Sequence, residues 1–103
     1  MASFEKSGIY LVSCLPTGEG YVGSTTRIYR RWYLLRKALR AGVCRVGPLQ
    51  RAWNKHGEAA FVFEVAAECA REDLAAREQH YIDLWKPEFN TLLQTGISQV
   101  RGK

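Results

Sequence analysis

The helix predicted near the end of the chain carries one carboxylate on the face that should be buried. Leu74, Tyr81, Ile82 and Trp85 recur at helical spacing and form an apolar stripe, and Glu78 lies within that stripe. A carboxylate removed from water costs free energy unless a cation, a hydrogen-bond donor or a metal ion compensates its charge. The pattern alone leaves two explanations open, an ion pair with an arginine or a metal site.

Basic residues are concentrated in a part of the chain that contains no Asp or Glu, residues 21–56. This block of one sign favours a polyanionic partner, although a solvated basic surface would have the same composition. Within it, Arg31 borders the apolar side of a predicted helix, where its guanidinium could bind a phosphate through two hydrogen bonds or lie free on the surface. The block contains Arg27, Arg30, Arg31, Arg36, Lys37, Arg40, Arg45, Arg51 and Lys55.

Two tyrosines lie on a predicted β-hairpin. Residues 9–14 are rich in strand-forming types, residues 16–20 supply turn-forming types, and a second strand begins at Tyr21. If the turn is centred on residues 17 and 18, Tyr21 lies opposite Cys14, and Tyr10 and Tyr21 project from the same side of the sheet. Core packing is the ordinary role of either tyrosine taken alone.

Hydrophobic periodicity and turn-forming residues predict the elements that must position these side chains. Gly42 and Gly57 are suited to the positions just after two helices, and Pro87 cannot continue the last helix. The order β-β-α-α-β-α predicts an α+β fold in which helices cover a small three-stranded antiparallel sheet. The predicted strands are residues 9–14, 21–22 and 61–66, and the predicted helices are residues 28–41, 48–56 and 72–85.

The length, composition and net charge of the chain limit the class of protein it can be. A chain of 103 residues with 47% hydrophobic residues fits a single domain, which we expect to span residues 1–103. No segment approaches the ~20 apolar residues of a membrane span. The three cysteines include no Cys-x-x-Cys pair, so we expect free thiols rather than a disulfide framework or a zinc site. The net charge is +5, and the first residues contain no apolar signal region, so we expect a cytoplasmic protein.

Short motifs in one order and at one spacing carry a family resemblance. Gly8, Ile9 and Tyr10 are followed by Tyr21, Val22 and Gly23, and later by Arg31 with Trp32, residues 49–57, Arg77 with Glu78, and Phe89 with Asn90. This series resembles the GIY-YIG nuclease superfamily, in particular the catalytic domains of phage and intron-encoded homing endonucleases. The resemblance covers residues 8–92, nearly the whole chain.

The resemblance implies a DNA endonuclease that hydrolyses phosphodiester bonds with one Mg²⁺ or Mn²⁺ ion held by Glu78. In such a mechanism Arg31 binds the phosphate, Tyr10 or Tyr21 helps to activate the attacking water, and Asn90 orients a substrate group or supports the site. Which tyrosine acts as the base stays open. The residues expected to contact DNA are Arg27, Arg30, Arg36, Lys37, Arg40, Arg51 and Lys55.

Two positions depart from the family pattern. Leu35 occupies a position where family members often have a histidine or tyrosine, and Cys44 aligns with a further histidine of homing relatives. Leucine cannot transfer a proton, so the alternative to an active endonuclease is a DNA-binding module of the same fold with impaired or lost catalysis. A protein-interaction domain with incidental basic charge is a third hypothesis. We expect DNA rather than a membrane as the partner, and a monomer or weak dimer.

Overall fold

The computed structural model describes residues 5–91 and confirms the predicted element order. The strands are β1 (Gly8–Cys14), β2 (Gly20–Thr25) and β3 (Phe61–Glu68), and the helices are α1 (Ile28–Ala41), α2 (Gly47–His56) and α3 (Leu74–Trp85). Short 3₁₀ turns at Glu58–Ala60 and Arg71–Asp73 lead into β3 and α3. No helix in the described part of the chain is long and apolar enough to cross a membrane.

The sheet has the strand order β2-β1-β3, and both pairs are antiparallel, as the α+β prediction requires. Tyr21 pairs with Val12, so the predicted pairing of Tyr21 with Cys14 is wrong. The turn closes earlier because the Cys14 carbonyl accepts a hydrogen bond from the Gly18 N–H at 2.8 Å, while the Cys14 N–H donates to the Glu19 carbonyl. The error is two residues, and an even shift keeps side chains on the same face. Both tyrosines therefore still project from one side.

The helices cover the two faces of the sheet separately. The face that carries Tyr10 and Val12 packs against α1 and α2 and forms the main core. The other face, which carries Ile9 and Val22, is covered by α3, which contacts both β2 and β1. The buried residues of the main core are Tyr10, Val12, Cys14, Leu39, Leu49, Trp53, Phe61 and Phe89.

A side-chain carboxylate caps the start of α1, and a glycine ends the helix. At its start, the Glu5 carboxylate accepts hydrogen bonds from the backbone N–H groups of Tyr29 and Arg30 at 2.9 and 3.0 Å. At its end, Gly42 has a φ of 77°, in the left-handed region that a residue with a Cβ adopts only with strain. The helix therefore stops at the predicted glycine, and the chain turns back over the sheet.

The last helix differs from its prediction in two respects. It begins at Leu74 rather than residue 72, because the preceding residues form the 3₁₀ turn. No residue of α3 is fully buried, and Trp85, which was expected in the buried stripe, is 44% exposed. The helix covers one edge of a three-stranded sheet, so its contact face is too narrow to bury the whole stripe.

Candidate active site

An open cleft of about 720 Å³ lies between α1, the loop that follows it and the sheet. Three of the predicted site residues, Tyr10, Tyr21 and Arg31, line this cleft together. The two tyrosine rings are 6.4 Å apart between centroids, and the Arg31 guanidinium lies near enough to the Tyr10 hydroxyl to lower its pKa. The fold therefore brings a phosphate-binding type of side chain next to two hydroxyl groups.

The Tyr10 side chain crosses the neighbouring strand at Gly23. These two residues pair across β1 and β2, and a Cβ built on Gly23 would overlap the Cζ and the hydroxyl oxygen of Tyr10. Only glycine leaves room for this ring, which explains the glycine of the second half-motif. Gly8 is constrained in a similar way, because a Cβ there would overlap the backbone carbonyl of Ala67 on β3.

Glu78 reaches the same strand from the opposite face of the sheet. Its Oε1 accepts a hydrogen bond of 2.6 Å from the hydroxyl of Ser24, the residue next to Gly23. The salt bridges among residues 5–91 join Lys6 to Glu68 and Arg40 to Glu58, so none involves Glu78. The ion pair that the sequence left open is not formed in this part of the chain. Ser24 was missed by the sequence reasoning, although strand alternation assigns it to the face opposite the tyrosines.

Burial raises the pKa of both tyrosine hydroxyls above its ordinary value. Desolvation raises the pKa of Tyr10, and the Arg31 guanidinium only partly opposes this effect. Desolvation also raises the pKa of Tyr21, and repulsion between its phenolate form and the Glu78 carboxylate, or an ionised Tyr10, raises it further. At neutral pH both side chains therefore carry an intact O–H group, which can donate or accept hydrogen bonds but has no phenolate charge.

Asn90 supports the strand that carries Tyr21. Its Oδ1 accepts a hydrogen bond from the Val22 N–H at 2.8 Å, and its Nδ2 donates to the Val22 carbonyl at 3.0 Å. β2 is an edge strand, and the Asn90 amide bonds both backbone groups of Val22 as a residue of a neighbouring strand would. Asn90 is buried, so the structure places it beside the tyrosine strand rather than in the cleft.

The two residues that depart from the family pattern both line the cleft. Leu35 lies one helical turn after Arg31, and Cys44 lies in the loop after α1. Burial raises the pKa of the Cys44 thiol, which therefore stays neutral. Gln50, which the sequence reasoning missed, accepts a hydrogen bond from the Cys44 N–H at 2.9 Å and donates to the Leu39 carbonyl at 3.0 Å. This buried amide fixes the loop that forms the far wall.

The basic residues predicted to contact DNA line different grooves of the described structure. Arg51 and Lys55 line a separate groove beside α2. Arg45, which was not among them, lines the cleft that holds Tyr10, Tyr21 and Arg31. Arg27 and Arg30 are exposed near the start of α1. A second groove beside α1 is lined by three of the residues predicted to contact DNA, Arg36, Lys37 and Arg40.

Among residues 5–91, no group of three or more His, Cys, Asp and Glu side chains is arranged to hold a metal ion. Among the predicted site residues, Glu78 supplies the carboxylate that could hold a metal ion, with the Ser24 hydroxyl beside it. Such a donor set does not fit zinc or a calcium cage, which need several protein ligands. It fits Mg²⁺, which is commonly bound by one or two carboxylates together with water and substrate phosphate.

Comparisons with known proteins agree with this geometry. Residues 6–92 match the family model described as the GIY-YIG catalytic domain. The chain is similar to the structure of the catalytic domain of the homing endonuclease I-TevI, with 31% identity, a TM-score of 0.71, and coverage of 76% of this chain and 86% of that one. A second structure, a mutant catalytic domain of the intron endonuclease I-TevI, has a TM-score of 0.70 at 31% identity, with coverage of 76% of this chain and 81% of that chain. No match was found among curated protein sequences.

Proposed function

This chain belongs to the GIY-YIG family of nucleases, and from that premise we propose that it is a DNA endonuclease that uses one divalent metal ion on Glu78. The observation that carries the proposal is the convergence at β2. The Tyr10 ring lies against Gly23 of this strand and lines the cleft together with Arg31, and Glu78 is hydrogen-bonded to Ser24 of the same strand from the other face. A phosphodiester group at the edge of β2 could contact all three side chains.

Glu78 is the residue that would hold the ion, which we propose to be Mg²⁺ or Mn²⁺. The Ser24 hydroxyl fixes Oε1, and no hydrogen bond or salt bridge within residues 5–91 occupies Oε2. When bound, the ion would supply Lewis-acid stabilisation of the negative charge that develops on phosphate oxygens. The hydrogen bond from Ser24 would hold the Glu78 carboxylate at the edge of β2.

Arg31 would bind the scissile phosphate. Its side chain is exposed and lines the cleft, so a phosphate that enters the cleft can reach its guanidinium. A guanidinium can donate two parallel hydrogen bonds to a phosphate, and these bonds strengthen as charge accumulates on the phosphate oxygens. The guanidinium lies near the Tyr10 hydroxyl, so a phosphate bound to Arg31 would be close to that hydroxyl.

The tyrosines would orient the attacking water. Because burial raises the pKa of both side chains, neither is a phenolate base at neutral pH. A neutral phenolic oxygen can still accept a hydrogen bond from water and align its lone pair with the phosphorus. Tyr10→Phe and Tyr21→Phe, compared in single-turnover cleavage, would identify the hydroxyl that contacts the water. Asn90 is a positioning residue that holds β2 in place.

A second candidate function is a DNA-binding module with impaired catalysis. The observation that favours it is the wall of the cleft formed by Leu35 and Cys44. Leu35 has no group that transfers protons, and the Cys44 thiol has a raised pKa. A leaving oxygen in this cleft would take its proton from water rather than from these two residues.

The experiment that tests the proposal is a cleavage assay on supercoiled plasmid and on labelled single-stranded and branched DNA. Each substrate is incubated with Mg²⁺, with Mn²⁺ and with a chelator. Glu78→Ala is compared with Glu72→Ala, which removes an exposed carboxylate just before the same helix. We expect metal-dependent cutting by the wild type and by Glu72→Ala, and none by Glu78→Ala.

The outcomes separate the two candidates. Normal cutting by Glu78→Ala would show that the ion is held elsewhere. No cutting by the wild type, together with DNA affinity that falls steeply with salt, would support the binding module. Absence of both cutting and salt-dependent binding would remove DNA as the partner.

A further inference from the structure

A second groove, of about 750 Å³, follows α1 on the side away from the catalytic cleft. Arg31, Leu35 and Ala38 lie on the cleft side of the helix. The proposed mechanism uses no aromatic residue of the second groove. The residues that form its aromatic and basic lining are Tyr29, Trp32, Tyr33, Arg36, Lys37 and Arg40.

Two tyrosine rings are exposed in this groove at a spacing of one helical turn. Tyr29 is 41% exposed and Tyr33 is 56% exposed. Trp32 contacts the Tyr29 ring edge-on at 5.5 Å between centroids, which fixes its orientation. The Arg30 guanidinium lies 5.9 Å from the centre of the Tyr33 ring. Exposed rings next to cations are the features on which proteins stack nucleic-acid bases.

The charge of the groove suits a phosphate backbone. Arg36 lies over Phe63, with its guanidinium carbon 4.1 Å from the ring centre, so its position is fixed. Lys37 takes part in neither of the two salt bridges found within residues 5–91. Arg40 is paired with Glu58 through two hydrogen bonds, so its charge is largely balanced. Arg36 lies near enough to Glu58 to help lower the pKa of that carboxyl, so Lys37 is the groove cation that no described carboxylate balances.

The groove and the catalytic cleft share one helix and one aromatic residue. Trp32 contacts Tyr29 on the groove side and Tyr10 on the cleft side, where the two rings are 6.4 Å apart and nearly perpendicular. α1 contains no acidic residue, so nothing on the helix itself repels a strand that crosses it. A DNA strand that passes from the cleft to the groove must cross α1, whose diameter with side chains is about 10–12 Å.

We propose that this groove binds the unstacked bases of a single-stranded DNA segment that is continuous with the strand in the catalytic cleft. This inference rests on the proposed function, because it defines the DNA class that the same enzyme prefers. In a duplex the bases are stacked on one another, so their faces are not accessible to Tyr29 and Tyr33. A duplex could use only the cations, whereas a single-stranded or splayed segment uses the cations and the rings.

The test is the affinity of the full chain for a fluorescently labelled single-stranded oligothymidylate and for a duplex of the same length, measured by anisotropy in chelator. We expect Tyr33→Ala to weaken single-strand binding about 5- to 150-fold, the range that loss of one stacked base produces. Duplex affinity should change by less than about twofold. Tyr33 is more than half exposed, so its removal should leave the fold intact.

Two control variants make the test specific. Tyr33→Phe keeps the ring and should bind single strands as the wild type does. Trp85→Ala removes an exposed aromatic residue from α3 and should leave single-strand affinity unchanged. An equal loss on single strands and duplex, no loss, or a Tyr33→Phe variant as weak as Tyr33→Ala would overturn the proposal. Binding at least about tenfold tighter to RNA of the same length would assign the groove to RNA instead.

The failure of this inference is distinguishable from the failure of the proposed function. If the wild type cuts no DNA while Tyr33→Ala still loses single-strand affinity, the nuclease proposal is wrong and the groove assignment holds. If the wild type cuts normally while single-strand affinity is independent of Tyr33, only the groove assignment is wrong.

Discussion

Gly23→Ala should disable the site by displacing one ring. Gly23 pairs with Tyr10, and a Cβ at this position would overlap the Cζ, Cε2 and hydroxyl oxygen of that tyrosine. Tyr10 is 1% exposed and packs in the main core, so the ring cannot move without disturbing its neighbours. The variant should therefore lose both stability and the alignment of the Tyr10 hydroxyl.

The magnitude follows from the cost of overpacking a core. Such a change costs about 1–3 kcal/mol, and each kcal/mol lowers the Tm of a domain of this size by about 4–8 °C, so the Tm of Gly23→Ala should fall by roughly 4–24 °C. Gly47→Ala is the matched control. The nearest heavy atom to a Cβ at Gly47 is the Arg51 Nη1 at 3.4 Å, an ordinary contact with a flexible side chain. Its Tm should stay close to that of the wild type.

Thermal unfolding and single-turnover cleavage are the two assays, and a double mutant shows the cause. Tyr10→Leu removes the three atoms that meet the new Cβ, so adding Gly23→Ala to Tyr10→Leu should cost little further stability. A wild-type Tm for Gly23→Ala would refute the reasoning. So would an equal loss of stability when Gly23→Ala is added to the wild type and to the Tyr10→Leu variant, because the strain would then not come from this ring.

Three further predictions concern the strand edge, the ionisation of the tyrosines and the cleft wall. Asn90→Asp should lower the urea midpoint, because the new carboxylate cannot donate to the Val22 carbonyl; an unchanged midpoint would show that this bond contributes nothing. Burial raises the folded-state pKa of Tyr10 and Tyr21 above the unfolded value of about 10, so their contribution to stability is complete below that pH and is lost as pH rises through the folded pKa. The urea midpoint of the wild type should therefore fall above about pH 10 more steeply than that of a Tyr10→Phe, Tyr21→Phe double variant, and equal slopes would contradict the pKa assignment. Leu35→His should raise the single-turnover cleavage rate about tenfold or more by adding a proton-transfer group to the cleft, and an unchanged rate would show that Leu35 does not limit catalysis.

Local sequence patterns were enough to predict the helices and strands of this protein and to find its family motifs. The alternation in β1, the apolar period of α1 and the glycine at its end depend on neighbouring residues, and the structure agrees with each. The family resemblance could also be found without coordinates, because the half-motifs around Tyr10 and Tyr21 lie at fixed spacing in a hairpin. The face shared by these tyrosines was predictable because strand alternation has a period of two, even though the register was not.

Contacts between distant segments were decided only by the tertiary structure. Asn90 bonds the backbone of Val22 across 68 positions, and Ser24 bonds Glu78 across 54, and no local pattern specifies either pair. The sequence could not assign the charge state of Tyr10, because its pKa depends on how deeply the packed helices bury it. The aromatic and basic side chains of α1 were visible in the sequence, but their division between two grooves was not. The sheet and the loop after α1 pack against one side of the helix and form the first cleft there. The side chains on the other side of the helix line the second groove.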